Sequence, residues 1–205
     1  MTHTLDFQIP HFQLIYTNTA ALDLPDIELF EDEMDQLESI TNTKRKIEFL
    51  GVRSLRNSLN IKEKISYKNS GKPFFLGAQC QISITHCQDF VALATSQEAI
   101  GIDMELEARD ISSVISKFTS YDEKILYSGA KSNWAIELWC AKEAVYKLFD
   151  IPGLAFREEI CVKERSLTHE FVHLTGEVST GQLQKGFVVK IKFENELVIA
   201  VAQFR

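Results

Sequence analysis

Asp103 and Glu105 stand two residues apart in the run Ile100-Gly101-Ile102-Asp103-Met104-Glu105. A β-strand has a side-chain period of two, so Ile100, Ile102 and Met104 share one face and the two carboxylates share the other. Neighbouring carboxylates repel each other and cost stability unless solvent or a cation compensates. A lone Asp-x-Glu is ordinarily a solvated strand end, and the pair alone leaves that reading open. The other reading is a hard-cation site. Oxygen ligands of this kind suit magnesium, which takes a few protein carboxylates and fills its shell with water and phosphate.

A second group of candidates falls on the run from Trp134 to Phe149. At about 100° per residue, Trp134, Leu138, Ala141, Val145 and Leu148 form one apolar stripe. Glu143 and Lys147, four apart, share an edge of it. An i,i+4 surface ion pair, contributing a few tenths of a kcal/mol, would account for them equally well. Lys142 is odder, because it projects into the stripe between Leu138 and Val145, where a lysine either snorkels or meets an anion. His86 ends the run Ile82-Ser83-Ile84-Thr85-His86. A strand-end histidine is more often structural, but its place ahead of the Asp-x-Glu run makes it a candidate phosphate ligand. No Gly-x-Gly-x-x-Gly, Walker loop or Gly-x-Ser-x-Gly elbow occurs, so nucleotide-binding and serine-hydrolase readings lack their parts.

The elements that must position these residues follow from periodicity. Residues 12–16 read as a first strand, and 26–60 as helical with a break at Thr41-Asn42-Thr43. Gly71-Lys72-Pro73 is a turn. Runs 81–86, 90–95 and 99–105 predict an antiparallel meander. Helices are expected over 111–118, 121–127 and 133–149, with Thr119 or Ser120 as a cap, Glu123 in a first turn and Ile151-Pro152-Gly153 as a terminator. Strand-like runs follow at 160–162, 187–193 and 197–204. Helices followed by antiparallel strands, twice over, predict an α+β fold with a duplicated architecture and a boundary near 98–106.

The bulk numbers narrow the class. The chain has 205 residues, 45% hydrophobic and 25% charged, ordinary for a soluble globular protein of one compact or two small domains. No run of about 18 apolar residues predicts a membrane span. Residues 1–10 carry no secretory pattern, so a cytoplasmic location is expected. Cys80, Cys87, Cys140 and Cys161 are scattered, which favours reduced thiols over disulfides or a zinc site. A net charge of −7 argues against a general nucleic-acid binder. The charge is uneven: residues 23–38 are acidic without a base, whereas 44–64 hold Lys44, Arg45, Lys46, Arg53, Arg56, Lys62 and Lys64.

Taken in order, Thr85-His86, Gly101-Ile102-Asp103-Met104-Glu105 and Trp139-Cys140-Ala141-Lys142-Glu143-Ala144-Val145-Tyr146-Lys147 resemble the 4′-phosphopantetheinyl transferase superfamily, in its surfactin-type branch. The 17-residue step from His86 to Asp103, Gly71-Lys72-Pro73 ahead of it, and Lys117-Phe118-Thr119-Ser120 with Glu123 ahead of the last motif also match. The resemblance covers most of residues 43–149. It departs at Thr85, where the family has serine, and in the acidic stretch ahead of Arg45, where the family often has lysines.

The resemblance implies two pseudo-symmetric halves, each with helices packed on an antiparallel sheet. Residues 1–101 would contact the phosphates and adenine side of coenzyme A, and 102–205 would hold magnesium and the catalytic helix, with the active site between them. It implies transfer of 4′-phosphopantetheine from coenzyme A to a serine of an acidic acyl or peptidyl carrier protein, releasing adenosine 3′,5′-bisphosphate. Asp103, Glu105 and Glu143 would bind magnesium, Glu143 would be the base, and Lys147 would stabilise developing charge. His86, Thr85, Lys72, Arg45, Lys142 and Lys147 would contact the coenzyme. Arg53 could do likewise, or could pair structurally between helices. Lys117, Lys124 and Lys131 are candidates for a carrier-docking face, and the internal duplication implies a monomer. A coenzyme A-binding scaffold without catalysis and a magnesium-dependent phosphohydrolase are the rivals.

Overall fold

In the computed structural model, residues 1–22, 27–130 and 133–205 are described. The first half contains β1 (Thr2–Leu5), β2 (Phe12–Asn18), α1 (Glu31–Ser39), α2 (Thr43–Ser58), β3 (Ile65–Tyr67), β4 (Pro73–Phe75), β5 (Gln81–Cys87) and β6 (Phe90–Ser96). The second contains β7 (Ile100–Leu106), α3 (Ile115–Phe118), α4 (Tyr121–Leu126), α5 (Trp134–Phe149), β8 (Ile160–Leu167), β9 (Val172–Ser179), β10 (Gln184–Glu194) and β11 (Leu197–Phe204). Strands β1-β2-β6-β5 form one antiparallel sheet and β7-β11-β10-β9-β8 another, with β3 and β4 as a separate hairpin.

Strand alternation decides the layering. On β2 and β6, Ile15, Val91 and Leu93 turn outward to Val52 and Leu55 of α2. Their neighbours Leu14, Tyr16, Ala92 and Ala94 turn inward, where they meet Ile100, Ile102 and Met104 of β7 and Leu197, Ile199 and Val201 of β11. The opposite face of β11, Val198, Ala200 and Ala202, packs with Ala144, Val145 and Leu148 of α5. The result is helix, sheet, sheet, helix, with a core between each pair of layers. Each fully buried Val, Leu or Ile contributes about 1.5–3 kcal/mol, so both faces of β11 and the intersheet face of β7 are committed.

Local signals explain the helix boundaries. The Asn42 side chain accepts the Arg45 backbone N–H at 3.0 Å and starts α2. Ser120 and Glu123 form a reciprocal capping box on α4. Asp150 caps α5 in the left-handed region, at φ 56°. Helix α1 is fixed to α2 by Glu33, which is fully buried. Its carboxylate takes Arg53 Nε at 3.0 Å and Arg56 Nη1 at 2.8 Å.

The fold is α+β with helices on antiparallel sheets in both halves, as the sequence predicts, but several elements differ. β5 and β6 make the expected hairpin, yet β7 does not extend it into a meander. β6 is already paired on both edges, by β2 and β5, so β7 pairs with β11 instead. The helix expected over 26–60 begins at Glu31, with residue 26 outside the described residues, and the break falls at 40–42. Only Ile115–Phe118 of the segment 111–118 is helical. β9 escapes the pattern because Gly176 interrupts its alternation. A Cβ there would stand 2.2 Å from the Cys161 carbonyl oxygen. All four cysteines are free, Cys87 and Cys140 buried. Among the described residues no helix is long and apolar enough to cross a membrane.

Candidate active site

β7 and α5 approach each other more closely than two side-chain-bearing backbones can. A Cβ on Gly101 would lie 2.0 Å from the Ala144 carbonyl oxygen and 2.5 Å from the Leu148 nitrogen. Glycine is required there by space. This contact brings the polar face of β7 against the edge of α5 that carries Glu143 and Lys147.

Lys147 Nζ lies 2.7 Å from Asp103 Oδ1, and the Thr85 hydroxyl, reaching across from β5, donates to the same oxygen at 3.0 Å. Asp103 is only 5% exposed, and its Oδ2 has no hydrogen-bond partner among the described residues. Glu105 Oε1 accepts Trp139 Nε1 at 3.1 Å and pairs with Arg109. Burial raises the Glu105 carboxyl, as does the charge of Asp103, with Arg109 opposing. Glu143 is pushed up to about 7, first by burial and then by Asp103, with Lys147 acting the other way. The two carboxyls are therefore held as reluctant anions, the state a nearby cation relieves.

Beside them opens a cleft of about 240 Å³, walled by the turn Gly71-Lys72-Pro73, by Ser83 and Ile84 of β5, and by Glu143, Tyr146 and Lys147 of α5. It lies between residues from both halves. Lys72 Nζ donates to the Leu148 carbonyl at 3.3 Å, and burial lowers the pKa of its ammonium. His86 is exposed, with Nδ1 3.5 Å from Glu48 of α2. Arg45 is exposed in the first turn of the same helix.

Two expected coenzyme contacts take other partners. Lys142 does not face the cleft: it is fully buried, and its Nζ lies 2.8 Å from Glu123 and donates to the Phe118 and Phe156 carbonyls at 2.6 and 2.7 Å. A lysine in the apolar stripe has met an anion, but one supplied by the capping glutamate of α4. Thr85 is buried and gives its hydroxyl to Asp103. Arg53 follows the structural alternative and pairs with Glu33. Lys117 and Lys124 are exposed, and Lys131 lies outside the described residues. Periodicity missed Arg109 and Trp139 as partners of Glu105. The signal available was that Trp139 stands one helical turn before Glu143.

Among the described residues no group of three or more His, Cys, Asp or Glu side chains converges closely enough to hold a metal. Lys147 and Arg109 instead stand against Asp103 and Glu105. The donor chemistry of β7 nonetheless fits a hard divalent cation that completes its shell with phosphate and water: two carboxylates on one strand face, one of them with a buried unpartnered oxygen.

The model of one protein family, described as the 4′-phosphopantetheinyl transferase superfamily, matches residues 99–202, half of the chain. No curated protein matches it.

Proposed function

Because the chain belongs to the 4′-phosphopantetheinyl transferase superfamily, we propose that it moves 4′-phosphopantetheine from coenzyme A to a serine of an acidic acyl or peptidyl carrier protein. Its α+β architecture is that of the family, and its two-halved form supports the surfactin-type branch and a monomer. The observation that carries the reading is the meeting of Asp103, Glu143 and Lys147 beside the cleft between residues 1–101 and 102–205.

The cleft suits the pantetheine and pyrophosphate of coenzyme A, with Lys72 at one wall and His86 and Arg45 offering further donors to phosphate and adenine. Magnesium, held by Asp103, Glu105 and Glu143, would neutralise the pyrophosphate. The serine oxygen forms a bond to the phosphorus next to pantetheine as the bridging P–O bond breaks. The serine proton passes to Glu143, whose raised basicity suits it near neutral pH. Lys147 stabilises the charge that develops on the leaving bisphosphate. Thr85 and Trp139 orient Asp103 and Glu105. Lys117 and Lys124 offer positive charge to an acidic carrier.

The test is incubation with coenzyme A, magnesium and an apo carrier protein, read by mass. A carrier heavier by one phosphopantetheine is expected, and none in the presence of a chelator. Tight coenzyme binding without transfer would sink the proposal in favour of a scaffold, and bisphosphate release without carrier would favour a hydrolase. Thr85→Val should slow transfer about tenfold, the effect of one lost hydrogen bond to a carboxylate. Thr85→Ser should stay near the wild-type rate, and equal rates for all three would refute the positioning role.

A further inference from the structure

The turn after β7 carries a guanidinium into the carboxylate cluster. The Arg109 backbone N–H donates to the Leu106 carbonyl at 3.0 Å and closes the turn. Its Nη1 pairs with Glu105 Oε1, the oxygen that also accepts Trp139. On the neighbouring carboxylate Lys147 holds Asp103 Oδ1. Each carboxylate of β7 therefore has its own internal cation, and Asp103 Oδ2 is left buried without a hydrogen-bond partner among the described residues.

The two cations differ in how easily they leave. Lys147 is 29% exposed, whereas the Arg109 side chain is 45% exposed on a turn, against a Glu105 only 10% exposed. An ion pair with a half-exposed partner is weak, and a released guanidinium is taken up by water. A divalent ion at Glu105 and a guanidinium on the same oxygen cannot both be accommodated without strong repulsion.

We propose that Arg109 is a built-in competitor for the divalent cation at Glu105, balancing that carboxylate in the empty site and swinging away when a cation binds. The inference rests on the reading of Asp103, Glu105 and Glu143 as cation ligands. It assigns Arg109 a control over cation affinity, distinct from the residues that hold the cation.

Calorimetric titration of chelator-stripped full-length protein with magnesium or manganese tests it. Arg109→Gln, which keeps a polar side chain but removes its charge, should bind either ion roughly tenfold more tightly, as loss of one nearby like charge requires. Lys163→Gln removes a charge on β8, four strands from β7, and should stay within about twofold of wild type, which separates a local effect from net charge. Melting temperature supplies a second readout. Arg109→Gln should melt lower than wild type in chelator and recover in magnesium. A purely structural ion pair would lower it equally in both. Unchanged or weaker cation affinity in Arg109→Gln overturns the inference while leaving the ligand reading intact. Absence of cation binding in every variant, wild type included, overturns the ligand reading and the inference together.

Discussion

Glu143→Gln is expected to lower phosphopantetheine transfer by about three orders of magnitude, the usual loss when a positioned base is removed, and the folded protein should persist. The substitution keeps shape and polarity, so the cleft wall that Glu143 shares with Tyr146 is preserved. It removes the one carboxyl pushed up to about 7 by burial and by Asp103. A carboxyl whose folded value lies above its ordinary one is bound to its proton more firmly in the folded state. Stability therefore falls as pH rises from the ordinary value through about 7. Without a cation, Glu143→Gln should accordingly melt higher than wild type at pH 8, and the difference should vanish near pH 4. Activity and stability would then move in opposite directions, as they do where a site stores repulsion for its ligand. Mass-based transfer rates and melting curves in chelator measure the two halves of this expectation. Wild-type turnover in the variant would remove Glu143 from the reaction.

Lys142→Met is expected to cost about 3–5 kcal/mol of stability, the penalty for leaving a buried charge without its partner. Glu123 is 1% exposed, and besides Lys142 it accepts the Val162 backbone N–H at 3.0 Å and the Ser120 N–H at 2.8 Å. One carboxylate therefore joins the start of α4, the middle of α5 and β8. Burial lowers the Lys142 ammonium and Glu123 restores part of the loss. Chemical denaturation measures the cost, and coenzyme A affinity under native conditions measures the alternative. If Lys142 were a coenzyme ligand, affinity would fall and stability would not. The structural arrangement requires the reverse.

Strand parity made the polar face of β7 legible, because alternation of Ile100, Ile102 and Met104 with Asp103 and Glu105 is a local property. Helix spacing likewise placed Glu143 and Lys147 on one edge of α5. Lys142 was legible as an anomaly but not as to its partner, since Glu123 lies 19 residues away and only tertiary packing brings them together. The pairing of β7 was hidden for a related reason: β2, distant in sequence, had already taken the second edge of β6. Arg109 was hidden because a turn, which has no period, delivers it to Glu105. Burial of Glu33 could not be told from its acidic neighbours, because charge runs are ordinarily solvated and only Arg53 and Arg56 make its burial tolerable.

The two faces of β7 also govern how this chain can change over evolutionary time. Inserting or deleting one residue between 100 and 105 would exchange them, driving Asp103 and Glu105 into the intersheet core and turning Ile102 and Met104 toward α5. It would also move Gly101 away from the Ala144 carbonyl, where no other residue fits. Length variation in descent is therefore expected in loops away from the site, such as 180–183. The strand itself admits only substitutions, and those only within one class at each position.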